Sequence, residues 1–178
     1  MLQRERTALV VIDVQGKLAR VVHQSESRVQ NIARMIKGAQ VLGLPIVATE
    51  QYPQGIGPTV EEIRGLLPEA PPPLAKTTFS CCGNSEFATR LAPRTQVLLT
   101  GIETHVCVYQ TCRDLLAQHF EVHVVADAVS SRSPEANAVA LERMRADGAT
   151  ITTAEMALFE LVGVAEGDAF RRILRIVK

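Results

Sequence analysis

The sequence predicts an α/β protein: a single domain over residues 1–178, built as a three-layer α-β-α sandwich around a doubly wound, mainly parallel six-stranded sheet of Rossmann-like type. Three observations carry this. Apolar, β-branched runs alternate with helix-period stripes about six times along the chain. The runs at residues 7–12, 97–100 and 121–129 are nearly continuously apolar, as in strands covered on both faces. No repeat or linker interrupts the alternation, and the length suits one sizeable core.

The first run, Thr7-Ala8-Leu9-Val10-Val11-Ile12, ends at Asp13, a carboxylate at a strand's C-terminal end. Val29, Ile32, Ala33, Ile36 and Ala39 then recur at helical spacing and stop at Gly43. Residues 45–49 read as a second strand, opened by Pro45 where a missing donor does little harm. The loop at 50–58 holds two prolines and two glycines, and Thr59-Val60-Glu61-Glu62 resembles a capping box. Pro71-Pro72-Pro73 forces an extended segment that delivers a short strand at 74–80, bearing Lys76. Asn84 or Ser85 can cap a helix through Leu91. The strand at 97–100 leads through Gly101 into a helix with Val108, Thr111, Cys112, Leu115 and Leu116 on one face. The run at 121–129 carries Asp127, read as structural and bonding loop amides. Pro134 opens a helix that runs to about Arg145 and stops at Gly148. Residues 149–152 form the last strand, Thr153 caps a helix through Leu161, and residues 170–177 form a closing helix. His23, His119 and His123 read as ordinary surface or packed residues.

Composition excludes several classes of function. Lys plus Arg and Asp plus Glu both number 19, so nothing marks a nucleic-acid or anionic-membrane partner. Aromatics make up 4%, too few for base-stacking platforms. The charged N-terminus lacks the apolar core of a signal peptide, and no apolar run approaches a membrane span, so a cytoplasmic protein is expected. Its four cysteines are then expected as thiols, without zinc-type spacing. Cys112 lies on the apolar helix face and reads as core.

Cys107 stands apart. With Thr104 as N-cap it falls near the third helical position, where free amides and the helix dipole favour a thiolate. Right-handed crossovers place all strand C-termini along one edge, where open α/β sheets bind ligands. Asp13, Lys76 and Cys107 converge there. A cysteine nucleophile needs a group to take its proton, a role open to Asp13. Lys76 can orient substrate and steady negative charge, and the turn from Gly101 to Cys107 offers amides for an oxyanion hole.

The sequence resembles the isochorismatase-like cysteine hydrolases, which include nicotinamidases and N-carbamoylsarcosine amidohydrolase. The matching motifs are Val-Ile-Asp-Val-Gln at 11–15, Lys-Thr-Thr-Phe-Ser at 76–80 and Thr-Gly-Ile-Glu-Thr-His-Val-Cys-Val at 100–108, in family order and spread over the chain. The resemblance implies a catalytic triad of Asp13, Lys76 and Cys107, a non-proline cis peptide between Ile102 and Glu103, and an oxyanion hole from the N–H groups of Glu103 and Cys107. It also implies a homo-oligomer, dimer or tetramer. Glu50, Tyr52, Phe79, His105 and Tyr109 are expected to line the substrate pocket. Metal-binding nicotinamidases carry Asp-x-His after the second strand. Glu50-Gln51-Tyr52-Pro53 stands there instead, so no catalytic metal and no cofactor are expected. Isochorismatases that cleave the vinyl ether generally lack the cysteine, so isochorismate is not the expected substrate. Cys81-Cys82 stand where many relatives have a small residue and an aromatic, which bears on pocket shape.

The resulting expectation is a metal-free hydrolase acting on a small amide-like C–N bond through a thioester. Two other classes fit the same residues: a silent binding or scaffold protein of this fold, and a thiol-redox protein using Cys107 with Cys81 or Cys82. A dinucleotide-binding dehydrogenase fits less well, because no GxGxxG follows the first strand.

Overall fold

The structure, a computed structural model, describes residues 1–69 and 71–178. In chain order the elements are β1 (Thr7–Ile12), α1 (Leu18–Val21), α2 (Ser25–Leu42), β2 (Ile46–Gln51), α3 (Pro53–Ile56), α4 (Glu61–Arg64), β3 (Leu74–Lys76), α5 (Ser85–Leu91), β4 (Gln96–Ile102), α6 (Tyr109–Ala117), β5 (Glu121–Ser130), α7 (Pro134–Ala146), β6 (Thr150–Thr152), α8 (Ala154–Val162) and α9 (Gly167–Val177). A 3-10 turn covers Cys81–Gly83, and a π-helical turn covers Thr104–Val108.

The six strands form one sheet in the order β3-β2-β1-β4-β5-β6, and every pairing is parallel. All residues of β1 and β4 are buried, because helices cover both faces of the sheet. The pleat divides each strand between two cores. Leu9, Val11 and Leu98 face α2, α8 and α9, and Ala8, Val10, Val97 and Leu99 face α5, α6 and α7. The chain winds outward in both directions from the β1–β4 pair, so the switch in strand order lies between the C-terminal ends of those two strands.

Several helix ends follow local chemistry. Asn84, Ser133 and Thr153 accept from the amides of Glu86, Ala136 and Met156, and Gly43 closes α2 at a positive φ. Two expected caps do not form. The Thr59 hydroxyl donates to Glu50 and Glu62 pairs with Arg20, and the N-cap position of α4 falls on Val60, without a side-chain cap. Thr104 donates to Asn137, and the N-cap position of the π turn falls on Glu103. Asp127 does not end its strand. It lies where the β4–β5 register shifts, and its carboxylate accepts from the Ala154 amide at 2.8 Å, tying β5 to α8. Among the described residues, no helix is long and apolar enough to cross a membrane.

β4 reaches β1 closely at Gly101. With φ at +114°, a Cβ there would run into the Ile12 carbonyl oxygen and stand 2.6 Å from the Ile12 nitrogen. Gly101→Ala is therefore expected to cost at least about 3 kcal/mol, from backbone strain plus overpacking, with a lowered urea midpoint as the measurement.

Candidate active site

Four strand ends build the site. Asp13 follows β1 at φ +52°, a left-handed conformation that Asp tolerates better than most side chains, and its own carbonyl accepts from the Gln15 amide at 2.8 Å. Thr49 lies in β2, its backbone oxygen accepting from the Asp13 amide and its hydroxyl donating to Asp13 Oδ1 at 2.8 Å. Lys76 ends β3, in register with Gln51 of β2. Cys107 lies in the π turn after β4.

The centre is an ion pair. Lys76 Nζ donates to Asp13 Oδ2 at 2.7 Å, and the two side chains are 1% and 3% exposed. The ammonium also meets Gln51 Oε1 at 2.6 Å and the carbonyls of Phe79 at 3.0 Å and Thr78 at 3.3 Å. Each charge is thus paired and hydrogen-bonded, which burial demands. Cys107 is buried against this pair. Its thiol is pushed up to about 12, first by loss of solvent, then by the Asp13 charge and a hydrogen bond to that carboxylate, with Lys76 pulling the other way. The low thiol pKa expected from a helix start is not found: burial first, and then the neighbouring anion, push it the other way. Cys81 is a second buried thiol at the same centre. Its Sγ lies 3.8 Å from Thr49 Oγ1, and burial pushes it up to about 11.

The five residues expected to line a pocket are divided. Tyr52 and Lys76 border a cavity of about 450 Å³ with Ala75, Thr78 and Asn84. His105 and Tyr109 border a different one of about 300 Å³ with Glu135, Val139 and Arg143. Glu50 is turned away, because its carboxylate holds the Thr59 amide and hydroxyl at 2.7 and 2.6 Å. Phe79 offers its carbonyl to Lys76 and leaves its side chain 52% exposed. The Ile102–Glu103 peptide is cis. Reasoning from strand ends missed Thr49 and Gln51, and it named Cys81 only as a redox partner or pocket-shape residue. Both lie on the same sheet edge and were findable by that rule; Cys81 sits in the 3-10 turn after β3. Among the described residues, no group of three or more His, Cys, Asp or Glu side chains is arranged to hold a metal ion.

The sequence profile described as the isochorismatase domain matches residues 7–156. The chain belongs to the isochorismatase family. "Isochorismatase domain-containing protein 2" of Bos taurus is 43% identical over 173 residues, covering 96% of this chain and 82% of that protein. Among solved structures, "MAR1 Ribonuclease from Caenorhabditis elegans" superposes with a TM-score of 0.95 at 38% identity, covering 99% of this chain and 91% of that one. "YcaC from Pseudomonas aeruginosa with hexane-2,5-diol and covalent acrylamide" gives 0.91 at 26%, covering 98% and 90%. The isochorismatase-family fold is a hydrolase fold, and the two-sided parallel sheet is shared along essentially the whole chain.

Lys76→Met leaves the Asp13 carboxylate buried without its cation. It is expected to destabilise the fold by about 3–5 kcal/mol in urea titrations, most of it recovered by the further change Asp13→Asn. The buried thiols set a second expectation. Cys81, Cys107 and Cys112 all titrate higher folded than the value near 8.5 of an unfolded chain. The folded state then holds more protons above pH 8.5, so stability falls as pH rises from there toward 11–12. Cys112→Ala should remove about 1.4 kcal/mol per pH unit from that alkaline slope, measured by urea unfolding at pH 8.5, 9.5 and 10.5.

Proposed function

We propose that this protein is a cysteine hydrolase that cleaves a small amide-like C–N bond without a metal, by way of a thioester on Cys107. The observation that carries the reading is the buried Asp13–Lys76 ion pair set against the buried Cys107 thiol at the switch point of the sheet. A thiol held near 12 is inert until its proton has a destination, and Asp13 is that destination. As Asp13 takes the proton, the sulfur attacks the substrate carbonyl, and the oxyanion gathers amide N–H donors from Glu103 and Cys107. Lys76 favours the thiolate and offsets the negative charge. The C–N bond then breaks, and Asp13 returns the proton to the departing amine. Water, deprotonated by Asp13, attacks the thioester and releases the acid, restoring the thiol.

Covalent acrylamide on the Pseudomonas aeruginosa protein is what a reactive thiol in this fold would produce, which supports a nucleophilic sulfur here. The name of the Caenorhabditis elegans protein raises RNA as another substrate class. Equal acidic and basic counts, and a buried lysine already neutralised by Asp13, favour an uncharged acyl group over a polyphosphate chain. The reading includes assembly of like chains, supported by the exposed side chains of Tyr52, Phe79 and Val139.

A panel of small primary amides, carbamoyl compounds and a single-stranded RNA tests the reading, with ammonia or amine release as the signal for the first two and shortened fragments for the RNA. Turnover of at least one amide is expected, falling by about 10³-fold or more in Cys107→Ala. Undiminished turnover in that variant would refute nucleophilic catalysis.

A further inference from the structure

The Glu103 side chain is not used by the reaction above, yet it is buried in the turn that carries the sulfur. Its residue is 7% exposed, and its Oε1 accepts from the Arg132 backbone N–H at 3.0 Å and from Arg132 Nε at 3.1 Å. Arg132 lies just past the end of β5, so this contact crosses from the β5 exit to the β4 exit. The other end of the same residue is also held: the Glu103 carbonyl accepts from the amides of Val106 and Val108 as the π turn begins. A parallel tie runs beside it, the His105 amide donating to Ser131 Oγ at 3.3 Å.

We infer that Arg132 and the Glu103 carboxylate are positioning residues that aim the Glu103 N–H at the substrate oxyanion, an inference that rests on the cysteine-hydrolase reading. A carboxylate this buried keeps one place as long as its charged partner keeps it there. With the carbonyl anchored in the π turn and the side chain anchored on Arg132, the peptide group preceding Glu103 has little freedom left. Preorganised donors of this kind act where charge develops, in carbonyl addition. They do nothing for a displacement at saturated carbon, in which no oxyanion forms.

That difference supplies a test needing no knowledge of the natural substrate. The full chain, as wild type, Arg132→Gln, Arg132→Lys, Glu103→Gln and Cys107→Ala, is acylated with p-nitrophenyl acetate and, separately, alkylated with iodoacetamide. Nitrophenolate release and peptide mass follow the two reactions at Cys107. Arg132→Gln is expected to slow acylation about tenfold while alkylation stays within about twofold, a loss typical of a misplaced donor. Arg132→Lys should regain part of the loss, and Glu103→Gln should behave like Arg132→Gln. Acylation unchanged in Arg132→Gln overturns the inference, as does an equal fall of both reactions, which would mark a general loosening of the turn. Acylation that persists in Cys107→Ala instead sinks the cysteine reading beneath it.

Discussion

Two opposite charges kept out of water by each other's presence organise this molecule. Asp13 and Lys76 come from strands that are not neighbours, since β2 lies between them, so their contact passes over the end of β2. That strand supplies what the pair still lacks: the Thr49 hydroxyl for the carboxylate and the Gln51 carbonyl for the ammonium. Three loops are thereby locked into one rim, and removing either charge leaves the other stranded in low dielectric. The cysteine enters a setting whose net charge is near zero. Burial therefore acts on the thiol first, and the Asp13 charge adds to it while Lys76 pulls the other way.

Much of this was legible in the chain. Apolar runs such as Leu9-Val10-Val11-Ile12 can be stable only between two helical layers, so the sheet followed from them. Asn84, Ser133 and Thr153 cap helices because their partners lie within the same turn. Thr59 and Thr104 carry the same local signal and fail to cap, because Glu50 and Asn137 reach them from distant parts of the chain. Local rules have no access to such partners. Asp13, Lys76 and Cys107 were picked out by their place at strand ends, whereas the expected pocket residues are split between two cavities and other contacts. Whether Glu50 faces a ligand or braces its own loop depends on a contact nine positions away, at Thr59.

The ionisation state of the sulfur was the hardest property to read forward. A helix start predicts a low thiol pKa when the thiol is alone with the amides. Here burial and an adjacent anion act in the opposite sense, and both depend on the folded neighbourhood. The same neighbourhood holds Cys81 protonated, so two sulfurs share the centre without either being ionised at rest.

The near-contact of Gly101 with Ile12 has an evolutionary corollary. The spacing between the sulfur-bearing turn and the carboxylate is set where two main chains touch, with no side chain between them. Walls built from loops such as the one holding Tyr52 can then be rewritten freely while the reacting atoms keep their separation. A scaffold of that design can diversify in what it accepts long before it changes what it does.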